Sequence, residues 1–329
     1  MAYTFHVGPL VKLLSAPHVT VGAVSLCGGH MYLGHKLMVP NDGNYFGRDE
    51  FIITNKEGII RVISNICRHR QAKMFDGCGT ADRLMCPVHK WTYGLDGKMI
   101  GAPNFPLECK LDLMPFNFGT WNGLLFDRPV DLHELDGLFD FTDYEFDHHE
   151  THFCPYDWKI FVEVSMDCYH VRPYHRGLGS YVTDQVRWVW GKNCSAQIVG
   201  HKSLDNPGSP IYEEWFRELK KLPPIPWGAI WGNIYPNAFI EHYPYTIMIS
   251  YLTPRPDGVD FTIDYFYDKQ VDWLYKQTQR DAFMETVMED DQIAMRLQAG
   301  RRFNTPLGPT HPELECGIDH FYAWLNKNS

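Results

Sequence analysis

Between residues 31 and 130 the apolar positions come in short runs punctuated by Gly, Asn and Asp, the pattern of an all-β domain. Ile59-Ile60-Arg61-Val62-Ile63 and Trp91-Thr92-Tyr93 read as strands, with Leu95-Asp96-Gly97-Lys98 as a hairpin turn. Asp131 to Asp147, acidic but dotted with Leu and Phe, reads as a connector. Beyond it the period changes. Trp158–Tyr169 and Tyr212–Leu222 have helical spacing, Phe239–Leu252 and Asp260–Tyr267 read as strands, and Trp273, Leu274, Phe283, Val287, Ile293 and Leu297 recur along a long late helix. The pattern therefore predicts an N-terminal segment (1–30), an all-β domain (31–130) and an α+β domain (131–329), without repeats or low-complexity tracts.

Composition agrees with two domains: 329 residues, 44% hydrophobic and 15% aromatic, are enough for a large core. A formal charge of −10 argues against nucleic acid, whose phosphates need a basic partner surface. The same acidity suits docking against a basic electron donor, or plain solubility. Nine cysteines are an odd number without framework spacing, which favours a reducing compartment over a disulfide scaffold. No stretch reaches the ~20 apolar residues of a membrane span, and residues 1–30 lack a basic region followed by an apolar run, so the expectation is a soluble cytoplasmic protein with no membrane partner.

The chemistry is concentrated in four residues. Cys67-x-His69 is followed after sixteen residues by Cys86-x-x-His89, so two loops each deliver one thiolate and one imidazole. Sulfur can hold one iron of a two-iron cluster while imidazole holds the other, which is the Rieske arrangement. A structural zinc ion also accepts two Cys and two His, but zinc fingers usually pair Cys with Cys and His with His.

A second candidate lies in Asp167-Cys168-Tyr169-His170-Val171-Arg172-Pro173-Tyr174-His175. On a helix Asp167 and His170 share a face, so the carboxylate can accept a bond from an imidazole. Pro173 disfavours helical geometry at Arg172, so the helix is expected to end there and let His175 fold back beside His170. Two histidines and a carboxylate make the facial triad of non-haem iron oxygenases. Glu289-Asp290-Asp291 interrupts the apolar face of the long helix, and helical geometry leaves Asp290 and Asp291 both open as the third ligand.

Cys67-Arg68-His69-Arg70 and Cys86-Pro87-Val88-His89-Lys90-Trp91-Thr92-Tyr93, ending in Leu95-Asp96-Gly97, resemble the Rieske domain of aromatic-ring-hydroxylating oxygenases. Respiratory Rieske proteins are less similar, since their loops add a disulfide where this chain has Val88. Trp158-Lys159, Glu163 and Tyr169-His170 resemble the segment of these oxygenases that holds the iron. Asp290, Gln298 and Gly300 match the family's Asp-x7-Gln-x-Gly spacing, which selects Asp290. The chain departs from the family at Tyr156-Asp157, where many members have Asn, and in a Glu163–Asp167 interval one residue shorter than in naphthalene-type enzymes.

The resemblance, which runs from about Tyr32 to Leu325, implies an α+β architecture: an all-β Rieske domain and a helix-grip catalytic domain, an antiparallel sheet with a long C-terminal helix. It implies a [2Fe-2S] cluster on Cys67, His69, Cys86 and His89, and Fe(II) on His170, His175 and Asp290, with O2 as co-substrate. NAD(P)H acts indirectly, through a partner reductase and possibly a ferredoxin. A homotrimer is implied as well, in which Asp167 bridges His170 and a cluster histidine of the neighbouring subunit.

The implied function is a terminal oxygenase that hydroxylates or dihydroxylates an aromatic or similar small compound, as in aromatic catabolism. Oxidative N- or O-demethylation is the alternative, since Asp167-Cys168-Tyr169-His170 also resembles the Glu-Cys-Tyr-His string of quaternary-amine oxygenases. A Rieske electron carrier and a zinc-stabilised binding module are the competing classes. Cys168 is expected to be a packed thiol, and Cys27, Cys109, Cys154, Cys194 and Cys316 have no metal-like partners nearby in sequence. His148, His149 and His152 are expected in a solvated loop. Some of Trp188, Trp190, Trp227, Trp231, Tyr235, Phe239 and Tyr243 are expected to line an apolar pocket, and Arg187 and Lys192 are the cations available for a substrate carboxylate.

Overall fold

The computed structural model describes residues 30–106, 111–303 and 305–328. Residues 1–29, and with them Cys27, lie outside the described residues, as does Cys109. The chain folds as two compact units, one spanning Met31–Val130 and one built from Asp131 onward.

Short strands make up the first unit: β1 (Tyr32–His35), β2 (Asn44–Gly47), β3 (Phe51–Lys56), β4 (Ile59–Ser64), β5 (Gly77–Thr80), β6 (Arg83–Met85), β7 (Thr92–Gly94), β8 (Met99–Gly101), β9 (Pro115–Phe116), β10 (Gly119–Trp121) and β11 (Leu124–Phe126). They form a five-stranded sheet ordered β5-β2-β3-β4-β9 and two three-stranded sheets, β1-β11-β10 and β6-β7-β8. Gly97, at a φ of 82°, turns the chain between β7 and β8, and Gly94 N–H closes the hairpin on Lys98 O at 2.8 Å. One core cluster of this unit contains Ile52, Ile63, Leu84, Trp91 and Tyr93, and also both Cys67 and Cys86.

In the second unit, β12 (Tyr144–Cys154), β13 (Val182–Trp190), β14 (Cys194–His201), β15 (Ala229–Ile234), β16 (Ala238–Tyr243), β17 (Thr246–Arg255) and β18 (Gly258–Asp268) form one antiparallel sheet, ordered β12-β18-β17-β16-β15-β14-β13. Its helices are α1 (Trp158–Ser165), α2 (Val171–Tyr174), α3 (Arg176–Tyr181), α4 (Pro210–Leu219), α5 (Trp273–Arg301) and α6 (Cys316–Asn328). One face of the sheet packs on α5, where Phe283 meets Tyr243 and Tyr265 edge-on at 6.4 and 6.3 Å. None of the helices among the described residues is long and apolar enough to cross a membrane.

Five expectations are corrected. Asp131–Asp147 is part of the second unit rather than a connector into it: Leu132, Leu135, Phe139 and Phe141 are buried, and Phe141 meets Phe266 of β18 at 5.4 Å. His148, His149 and His152 lie within strand β12 rather than a loop, because Glu150 holds His148, His152 and Arg280 along one side of that edge strand. The helix begun at Trp158 ends at Ser165, not Tyr169. Pro173 does not end a helix at Arg172 but sits inside the single turn α2, near its start, where a missing N–H removes no helical bond. Within α5, Trp273 is 71% exposed, while polar Thr278, Gln279 and Thr286 are buried, so apolar period alone misassigned its face.

Glu163 of α1 ties the helices together. Arg301 Nη1 of α5 donates to its Oε1 at 2.8 Å, Arg301 Nη2 to its Oε2, and Tyr322 Oη of α6 donates to it as well. Removing one side of such a pair leaves a buried charge, so Glu163→Ala should destabilise the protein by about 3–5 kcal/mol. Urea unfolding followed by tryptophan fluorescence checks this; a change below about 1 kcal/mol would show that the pair is dispensable.

Candidate active site

The two Cys/His loops share one backbone design. Cys67 O accepts from Gln71 N at 3.0 Å and Cys86 O from Lys90 N at 3.1 Å; Cys67 N donates to Ala72 O at 2.9 Å and Cys86 N to Trp91 O at 2.8 Å. Gln71 and Lys90 close the loops at φ values of 58° and 61°, a region non-glycine residues seldom occupy. Cys67 and Cys86 are both 1% exposed, whereas His69 is half-buried and His89 exposed. The imidazoles lie side by side at 4.6 Å, and Trp91 stacks on His69 at 4.7 Å.

Two thiols therefore meet inside and two imidazoles outside, which suits two irons in a row. A lone tetrahedral ion would need the four ligand atoms in one knot, and the Cys/His residues of these loops do not form such a group within 4.8 Å. Tyr93 reinforces the sulfur end, with its Oη 3.5 Å from Cys67 Sγ and accepting from Arg68 N at 3.3 Å. Hydrogen bonds to cluster sulfurs tune potential; the sequence places Tyr93 in a strand and in the Rieske-like motif but does not show that it reaches Cys67.

In the second unit His170, His175 and Asp290 converge. Their ligand atoms lie within 4.8 Å of one another, with His170 Nε2 and His175 Nε2 2.9 Å apart and 3.2 and 3.0 Å from Asp290 Oδ1. His170 caps the single turn α2 and His175 follows it, so one turn of backbone separates the two imidazoles. Asp291 points elsewhere and accepts from Tyr156 Oη.

The outer nitrogens are held by carboxylates. His175 Nδ1 lies 2.7 Å from Glu289 Oε2, and His170 Nδ1 lies 2.9 Å from Asp167 Oδ2, within ion-pair distance but outside good hydrogen-bond alignment. Carboxylates there favour protons on the Nδ1 atoms, which leaves both Nε2 lone pairs aimed at each other and at Asp290. Three lone-pair donors about 3 Å apart need a positive charge between them. Burial disfavours the imidazolium, yet Asp167 and Asp290 outweigh it and push His170 up to about 9. Asp290 moves the opposite way, below its usual range, because the imidazole bonds overcome burial. A proton satisfies one contact of this trio; a metal ion satisfies all three.

Asp167 reaches His170 by a different route from the expected shared helix face. Its Oδ1 accepts from Tyr169 N at 2.7 Å and His170 N at 3.1 Å, an Asx-type cap beyond the end of α1. In the sequence Glu289 is one member of an acidic run, and nothing in helical period marks it as the partner of His175.

Beside the trio is a cavity offering about 80 Å³ to the centre of a water-sized molecule, several times what one water needs. Its walls include Phe161, Trp231, Phe239, Tyr243, Phe283 and Glu241. Of the expected aromatics, Trp231, Phe239 and Tyr243 do line it. Trp188 and Trp190 instead stack on each other at 4.7 Å, Trp227 packs on His242 at 4.4 Å, and Tyr235 bonds His320 Nδ1 at 2.8 Å. Arg187 and Lys192 are exposed and outside the cavity wall. Cys168 is a packed thiol in the wall, its Sγ donating to Gln197 Oε1 at 2.6 Å.

Residues 141–328 match the model of the ring hydroxylating alpha subunit (catalytic domain), and residues 32–110 match the Rieske [2Fe-2S] domain. The chain belongs to the ring-hydroxylating alpha subunit family. A putrescine 2-hydroxylase of Ralstonia nicotianae is 37% identical over 91% of this chain and 88% of its own. A chloroplastic choline monooxygenase of Beta vulgaris is 24% identical over 91% of this chain and 71% of its own. Among solved structures, the quaternary ammonium Rieske monooxygenase CntA superposes with a TM-score of 0.76 at 17% identity, covering 97% of this chain and 94% of that one.

This alpha subunit is accordingly the terminal oxygenase of a Rieske system. Its cofactors are a [2Fe-2S] cluster and a mononuclear iron, O2 is the co-substrate, and a reductase supplies the electrons. The electron-carrier and zinc-module readings fall away with the family.

Proposed function

We propose that this alpha subunit is a monooxygenase that hydroxylates a small aliphatic amine, with Cys67, His69, Cys86 and His89 holding the cluster and His170, His175 and Asp290 holding the iron. The observation that carries the reading is the trio of Nε2, Nε2 and Oδ1 atoms converging beside an aromatic-walled cavity. Two imidazoles and one carboxylate would hold ferrous iron, which would supply O2 activation beside the substrate. Relatives named for putrescine and choline support an amine rather than an aromatic ring, and the 37% identity with the putrescine enzyme favours hydroxylation over the demethylation alternative.

The protein's own groups have separable tasks. Glu289 and Asp167 orient the imidazoles through Nδ1, and the aromatic walls hold the substrate and exclude bulk water. His89, the most exposed of the four cluster residues, is the exit for electrons. We further propose a homotrimer in which Asp167 links His170 to a cluster histidine of the neighbouring subunit, working in the cytoplasm with a reductase and possibly a ferredoxin.

The test is substrate-dependent oxygen uptake with a partner reductase across putrescine, choline, carnitine and aromatic acids, with products weighed by mass spectrometry. Uptake stimulated by an amine, with a single oxygen atom gained, is the expected result. Stimulation confined to aromatic compounds, or gain of two oxygen atoms, would overturn it.

A further inference from the structure

We propose that Glu241 selects the substrate: its carboxylate, framed by Trp231 and Tyr243, receives the primary ammonium of a short aliphatic amine that carries no carboxylate of its own. This assignment rests on the amine-hydroxylase reading above and adds the group that recognises the cation.

Glu241 breaks the pattern of its strand. On β16, Phe239, Glu241 and Tyr243 alternate onto one face, and all three line the cavity that also contains His170, His175 and Asp290. In the ladder, Glu241 stands directly opposite Trp231 of β15, so their side chains are cross-strand neighbours. Trp231 is held in place by its own bond, Nε1 donating to Tyr243 Oη at 2.9 Å. The result is a carboxylate on a wall shared with aromatic side chains, which can themselves attract a cation.

The carboxylate has nothing to pair with in the protein. Glu241 makes no hydrogen bond or ion pair among the described residues. The other two acidic groups of the wall are engaged, Asp167 by Tyr169 N and His170 N, and Asp290 by both histidines. Glu241 is half-buried, with its side chain on the cavity wall; a carboxylate in such a partly desolvated place is held ionised most readily by a cation beside it. Desolvation, with Asp290 adding to it, pushes the Glu241 carboxyl up to about 8.

The wall also says what the ligand lacks. No Lys or Arg is among the residues lining the cavity, so nothing there would pair a substrate carboxylate. Aromatic acids and carnitine, which bring a carboxylate, are thereby disfavoured. A primary ammonium is favoured over a quaternary one, because a carboxylate accepts N–H bonds that a trimethylammonium cannot donate.

The experiment is anaerobic calorimetric titration of the purified iron-loaded protein with putrescine, with its neutral isostere 1,4-butanediol, and with choline. Putrescine should bind at least about 10-fold more tightly than either, the scale of a charge-assisted hydrogen bond. In Glu241→Gln, putrescine affinity should fall roughly 10- to 100-fold while iron content and the cluster absorption stay unchanged. Butanediol or choline binding as well as putrescine overturns the assignment, and this holds even if Glu241→Gln does not fold. Unchanged putrescine affinity in a folded Glu241→Gln overturns it too. Failure of the amine-hydroxylase reading looks different: wild-type protein would bind putrescine through Glu241 yet consume no oxygen with it.

Discussion

Asp290→Ala should lower the iron content from about three to about two per chain, leave the Rieske absorption spectrum intact, and reduce substrate-coupled oxygen uptake by at least about 1,000-fold. Among the described residues Asp290 Oδ1 is the one carboxylate oxygen close to both Nε2 atoms, at 3.2 and 3.0 Å, and it lies on the long α5. Alanine leaves two neutral donors and no anion, too few to hold a hard ferrous ion in competition with water. Asp291 is no substitute, because it is committed to Tyr156. Asp291→Ala should accordingly keep all its iron. Iron retained in Asp290→Ala, or lost in Asp291→Ala instead, would reassign the ligand. Metal analysis reads the result directly, so neither a reductase nor a substrate has to be identified first.

Asp167→Asn is expected to keep the cluster and most of the mononuclear iron while slowing coupled turnover on the order of 100-fold, the upper range for loss of a carboxylate behind a ligating histidine. Asparagine preserves the Oδ1 that accepts from Tyr169 N and His170 N, so the local cap survives. It replaces Oδ2 with an NH2 group facing His170 Nδ1, which loses the attraction that orients the imidazole. If Asp167 is also the link between subunits, the cluster of the variant should reduce at the normal rate but reoxidise slowly when substrate and O2 are added, in stopped-flow absorbance. If its sole task is to orient His170, iron affinity should fall by the same factor as turnover. Normal coupled turnover would dismiss both roles.

Much of this protein was legible one-dimensionally because its chemistry is local. Cys67 and His69, and Cys86 and His89, lie within single loops, where a fixed spacer dictates which atoms meet. His170 and His175 are likewise one turn apart, although the reason is a short helix containing Pro173 rather than a helix ending before it. The strand before the first loop and the hairpin after the second fall where alternation and Asp96-Gly97 put them.

Other features depended on residues far apart in the chain. Asp290 and Asp291 are nearly equivalent by period, and the choice falls to Tyr156, which occupies Asp291 from 135 positions away. Glu289 became a partner of His175 across 114 positions, and Glu163 a partner of Arg301 across 138. Glu241 carries no signal in the sequence; only the pairing of β16 with β15 sets it opposite Trp231 on the cavity wall. Sequence by itself determined the ligand types, the loop design and the family, because these depend on side-chain chemistry at short separation. Family spacing already pointed to Asp290 and local sequence to Asp167; tertiary structure alone decided that Glu289 backs His175, that Asp291 is taken by Tyr156 and which aromatics make the cavity, because burial and pairing are set by elements that meet only when the sheet packs on its long helix.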